Sequence, residues 1–224
     1  MLIAAPIWLF ALLPWTALAI WMLWGRREQA TVPFVRVSDH YTADGIVEKV
    51  RMIADVAGAH ERGECLAAQV KADLGALETL RTKITRPKKV LFVLSFLNGK
   101  PMVAGRNTAA DGIIKLAGGV NAMDGYEGYK QIADEAVIAA APDAVLVMQR
   151  PQDNLDATTV FANPAFSTTP AAAQKSFITM DGLYLLGFGP RTAAAARDLA
   201  VSLYPSLGRD ALPSERTPPR SGCS

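Results

Sequence analysis

Apolar and polar positions follow several different rhythms along this chain. From Met1 to Trp24 no charged side chain interrupts the apolar run, and then Gly25-Arg26-Arg27-Glu28 arrives. About 20 apolar residues cross a bilayer as a helix, and Trp8, Trp15, Trp21 and Trp24 suit the aromatic belt at its interfaces. Residues 1–28 are therefore expected to be a hydrophobic helix serving as a membrane anchor. A cleavable signal segment is the alternative, with Ala17-Leu18-Ala19 as a small-x-small site, although no Lys or Arg precedes the run. Arg26 and Arg27 follow the span, and the positive-inside rule then favours a cytoplasmic C-terminal side.

Beyond the anchor the rhythm changes. Thr31 to Val37 is a short extended segment, with Pro33 suggesting an edge or a start. A helix opens at Thr42 and runs to about Val56, with Ile46, Val50, Ile53 and Ala57 on one face and Gly58 as its stop. A longer helix covers about Glu61 to Lys83. Leu66, Val70, Leu74, Leu77 and Leu80 form its stripe, and charged residues fill the opposite side. Arg86-Pro87-Lys88-Lys89 is a break. Three apolar runs then read as buried strands: VLFVLSF (90–96), Ala144 to Met148, and Ser176 to Met180. Between and after them lie helices from Thr108 to Leu116, Asp134 to Ala141 and Arg191 to Leu203. Strands alternating with helices predict an α/β fold with a parallel or mixed sheet covered on both faces. From Ser206 onward Pro, Ser, Arg and Gly dominate, so 206–224 is expected to be a disordered tail.

Charge and composition exclude more than they identify. With 23 basic and 21 acidic side chains the net charge is +2, too weak a field to suggest a nucleic-acid partner. Cys65 and Cys223 form neither a disulfide framework nor a metal pair, so Cys65 is read as a small buried hydrophobe and the redox compartment is left open. The stretch KPMVAGRNTAADG follows the first strand as a Gly-containing loop before a helix. It has no Ser or Thr after Lys100, and Pro101 removes an N–H, so a phosphate loop is excluded. Asn107 and Thr108 suit helix capping. His40 and His60 precede the sheet and complete no triad, and no His, Cys, Asp or Glu spacing resembles a metal site. No enzymatic activity is expected.

What remains is a ligand cleft at the C-terminal ends of the strands, where open α/β sheets place their ligands. The loop from Ser95 to Gly105, Gln149-Arg150-Pro151, and Gly182 to Pro190 would meet there. Phe96, Met102, Tyr184 and Phe188 would supply an apolar wall, and Lys100, Arg106 and Arg150 scattered cations. That mixture suits a flat hydrophobic ligand carrying carboxylates. Ordinary loop residues are the equally weighted alternative.

Three motifs, PMVAGRNTAADGIIKLAGG, GYKQIADEAVIAAAPDAVLVM and MDGLYLLGFGPRTAAAARDLA, resemble the periplasmic haem-binding protein of bacterial haem ABC importers. That family shares its class with siderophore- and cobalamin-binding proteins, and the likeness runs from about Val32 to Pro205. It implies two α/β lobes joined by a long rigid helix, with haem between them. Residues 32–86 would be a remnant strand and helices including the interlobe helix, and 87–205 a single C-terminal, ligand-binding lobe. The cleft rim implied is Ser95, Phe96, Asn98, Lys100, Met102, Arg106, Gln149, Arg150 and Tyr184, with Glu135 docking on an ABC permease. Residues 2–24 would hold the protein in the inner membrane, facing the periplasm. In family members an N-terminal lobe, with the tyrosine that ligates haem iron, precedes the segment resembling VPFVRVSDHYTADGI. Here the Trp-rich run stands in its place, and no axial ligand is assigned. The function implied is haem binding and delivery in iron uptake. The alternatives are a truncated or fused homologue that binds no haem, and a binder of cobalamin or a ferric siderophore.

Overall fold

Thr42 starts the first helix: its hydroxyl accepts a hydrogen bond from the Gly45 backbone N–H at 3.2 Å, the bond an N-cap residue makes. In the computed structural model, which describes residues 37, 40–149, 155–207 and 223, this helix, α1, spans Ala43–Val56. The expected anchor, the segment 31–36 and Arg150 lie outside the described residues. Among the described residues no helix is long and apolar enough to cross a membrane. Helix α2, His60–Arg81, returns along α1, and Gly63 lets them touch because a Cβ there would overlap that of Ala54. The fully buried apolar side chains of α1 all fall in its first half, at Ile46, Val47 and Val50. Ile53, expected on the buried face, is 54% exposed, and Val56 is 61% exposed.

The sheet follows. Its strands are β1 (Lys89–Leu97), β2 (Lys100–Ala104), β3 (Val120–Asn121), β4 (Tyr129–Gln131), β5 (Ala144–Gln149) and β6 (Phe177–Asp181). The order is β4-β2-β1-β5-β6, with β3 beside the start of β1. Strands β1, β5 and β6 are parallel, whereas β2 runs antiparallel to β1 and β4, so the sheet is mixed. Its helices are α3 (Ala109–Leu116), α4 (Asp134–Ala140), α5 (Ala157–Ala162), α6 (Pro164–Ser167), α7 (Pro170–Ala173), α8 (Gly182–Leu186) and α9 (Thr192–Leu203).

Alternate side chains of the buried strands serve two cores, as a period of two requires. Val90, Phe92, Leu146 and Ile178 pack beneath α1, α2, α3, α8 and α9. Leu91, Val93, Val103, Val145 and Val147 pack against Val137, Val160, Phe166 and Ala171 of α4 to α7. The result is a mixed sheet between two helical layers, the α/β fold expected from the alternation.

The structure overturns the reading of the cysteines. Cys65 and Cys223 are joined by a disulfide, with Cα atoms 5.6 Å apart, inside the ordinary range for such bonds. Cys65 is half-buried and bonded rather than a free hydrophobe. The partners are 158 residues apart, and no local pattern relates positions so distant.

Candidate functional site

The expected loop from Ser95 to Gly105 is a β-hairpin. β1 continues to Leu97, turns through Asn98 and Gly99, and returns as β2 with Leu97 opposite Lys100. Asn98 has φ 52° and Gly99 φ 77°, the two positive values that a two-residue turn needs to match the strands' twist. Asn-Gly is the pair that adopts this conformation most readily. The turn is pinned from both sides. The Gln131 side-chain amide donates to the Leu97 carbonyl at 2.6 Å, and the Asn163 amide donates to the Gly99 carbonyl at 3.3 Å.

This geometry sorts the expected rim residues. Asn98 forms the turn itself, and Lys100 is exposed at the start of β2. Ser95 and Met102 are half-buried cross-strand partners, next to an irregularity between Val93 and Ser95. Phe96 turns inward, its ring 5.9 Å from that of Phe166. Leu97, not singled out from the sequence, is 49% exposed at the tip. Arg106 does not join them. It follows the far end of β2, six positions beyond Lys100, about 20 Å along an extended chain. There its N–H donates to the Tyr126 carbonyl at 2.8 Å, and its guanidinium stands 4.0 Å from Glu127. Burial pushes the neighbouring Tyr126 phenol up to about 12.

On the other side of the rim, Gln149 is exposed at the end of β5, opposite Asp181 of β6. Asp181 caps α8 by accepting from the Tyr184 N–H at 2.8 Å. The Tyr184 side chain is tied back into the lobe, its hydroxyl donating to Asp198 of α9 at 2.8 Å while Arg191 lies 5.7 Å from the ring centre. Its neighbour Leu183 is 81% exposed, the most exposed large apolar side chain described. Phe188, expected on the cleft wall, is 2% exposed and packs edge-on to Tyr41 at 5.0 Å. Burial inside the first core removes it from any cleft. Beside Gln149, a concavity of about 480 Å³ is lined by Met148, Asp156, Phe177 and Thr179 among others.

At the strand ends Leu97 and Lys100 stand exposed on one hairpin, and Leu183 stands exposed on α8. Apolar side chains exposed beside a cation give a surface that favours an amphipathic ligand over a small ion. Glu135 lies elsewhere, exposed in the first turn of α4, with Ile138 47% exposed one turn on.

Known proteins share this architecture. RhuT, a periplasmic haem-binding protein from Roseiflexus sp. RS-1, superposes with a TM-score of 0.70 at 40% identity over 75% of this chain and 65% of its own. The periplasmic haem-binding protein HutB of Vibrio cholerae gives 0.68 at 31% identity, over 75% of this chain and 66% of its own. YvrC of Bacillus subtilis, an ABC transporter substrate-binding lipoprotein, is 22% identical over 82% of this chain and 57% of its own. The chain thus spans roughly three fifths to two thirds of these relatives' lengths. A model of the periplasmic binding protein family matches residues 26–184, which takes in the long helix, the hairpin and β6, and by that match this chain belongs to the periplasmic binding protein family.

Proposed function

We propose that this chain is the substrate-binding component of an ABC-type haem import system, holding haem against the rim and passing it to a permease. The observation that carries the reading is the 40% identity to RhuT across three quarters of the chain, because RhuT is a haem-binding protein. The rim supports it chemically. Exposed Leu97 and Leu183 gain by covering one face of a porphyrin, and Lys100 can pair with a propionate. The work is capture and release, without catalysis.

Glu135, exposed at the start of α4, is the docking contact for an Arg-bearing permease surface. Residues 2–24 hold the protein at the inner membrane facing the periplasm, as a lipid does for a lipoprotein such as YvrC.

Titration of the purified chain with haemin, followed through the Soret band, tests the core of the proposal. A saturable shift at micromolar haemin is expected, and its absence overturns haem binding by this chain. Calorimetric titrations with cobalamin and with a ferric siderophore identify the alternative cargo if only one of those binds. Glu135→Lys is expected to abolish haem uptake by cells while leaving haemin binding intact.

A further inference from the structure

Neither the rim nor the docking helix uses the disulfide between Cys65 and Cys223. Cys65 lies in the second turn of α2, on the long helix that packs against α1 and α9. Cys223 is the penultimate residue of the chain. The last helix, α9, ends at Leu203, and the Leu207 N–H donates to the Tyr204 carbonyl in the turn that follows. The bond therefore brings the end of the chain back to the first third of α2 and closes a loop across the whole lobe. Disulfides form and persist in oxidising compartments and are rare where glutathione and thioredoxin keep thiols reduced. This bears on orientation. Arg26 and Arg27, by the positive-inside rule, favour a cytoplasmic side for everything that follows them. A lobe left in the cytosol would carry two thiols.

We propose that Cys65–Cys223 is a redox clasp: it closes only once the lobe has reached an oxidising compartment, and it then fastens the C-terminal end of the chain to the long helix. Closure takes two protons and two electrons from the two thiols. The electrons pass to a thiol–disulfide oxidant through a mixed disulfide, leaving that oxidant as its dithiol. The closed state restricts the unfolded chain over a 158-residue separation, the regime in which a cross-link adds most to stability.

Thiol trapping of the full chain tests the clasp without reference to any ligand. Cells producing it are quenched in acid, and the denatured protein is treated with a maleimide polymer that adds a visible mass. No modification is expected without reductant, and two additions after it. Cys223→Ser is expected to give one addition under both conditions. Cys223 belongs to neither core cluster, so the substitution leaves both cores intact. On the purified oxidised protein, reductant is expected to lower Tm by about 5–15 °C. Cys223→Ser should start at that lower value and not respond. Two additions in the untreated wild type, a covalent dimer on non-reducing electrophoresis, or a Tm unmoved by reductant would each overturn the clasp. Haemin titration does not enter any of these outcomes, so failure of the clasp and failure of haem binding are separately visible.

Discussion

Gly99 stands at φ 77° in open space, where an added Cβ would meet nothing within 4 Å. Any penalty for a side chain there is purely conformational. Gly99→Ala is expected to cost about 1 kcal/mol in denaturant unfolding with no change in core packing. His60 offers a pH-dependent counterpart. Its hydrogen bond to the Asp55 carboxylate, at 2.6 Å, and the attraction of that charge raise its pKa above the ordinary 6.5. A group raised on folding stabilises the protein fully below its unfolded pKa and loses that contribution as pH rises through the folded value. NMR titration should place the His60 midpoint above 6.5 in the wild type and closer to 6.5 in Asp55→Asn. The stability difference between the two proteins should vanish at higher pH. Tyr184 and Leu183 are neighbours with opposite duties. Tyr184→Phe removes the bond to Asp198, should cost about 1 kcal/mol of stability, and should leave haemin affinity unchanged. Leu183→Asp puts a charge on the rim and should weaken haemin binding at least tenfold while stability holds.

Elements differ in how openly the sequence announces them. VLFVLSF was legible as a strand because it is buried on both faces, and α1 and α2 because their apolar stripes keep a helical period. β2 was not. In KPMVA only Pro101, Val103 and Ala104 are buried, and a proline lying between Gly99 and Gly105 reads as loop. Yet the Asn98-Gly99 pair between two apolar runs is the strongest short-range hairpin signal there is. The three short helices from Ala157 to Ala173 are too brief for periodicity. Their starts are nonetheless written in capping residues: Asp156, then Asn163 and Thr169 each followed by proline. Because residues 95–104 form a hairpin, Lys100 and Arg106 stand at opposite ends of β2. Arg106→Ala should therefore leave haemin affinity unchanged, whereas Lys100→Ala should reduce it severalfold. The reverse pattern in a paired titration would put the ligand on the Glu127 side of the sheet.

For the whole molecule, the α/β lobe and its family were readable because three separated motifs occur in one order and the fold follows from alternation. Side-chain direction was not readable. Phe188 looked like a cleft aromatic but is buried against Tyr41, and Phe96, half-buried at the edge of the second core, turns toward Phe166. Composition cannot say on which side of a sheet an aromatic falls once a bulge, such as that between Val93 and Ser95, changes the alternation. The disulfide was invisible for a different reason, since a bond spanning 158 residues depends on the finished fold.

The pinned hairpin also bears on the order in which the lobe assembles. β1 meets β2 across two residues, while its other long partner, β5, begins 55 positions after β1 begins. A hairpin closes in about 1–10 μs, and contacts distant in sequence must wait for loop closure. The hairpin proposed as the haem rim should therefore be among the first parts of the lobe to form, and β5 and β6 should add to it later. Gly99→Ala should then slow refolding by nearly its full equilibrium cost, giving a φ-value near 1. Val147→Ala in β5 should act mainly by hastening unfolding. A chevron comparison of the two variants decides whether the Asn98-Gly99 turn is where folding begins.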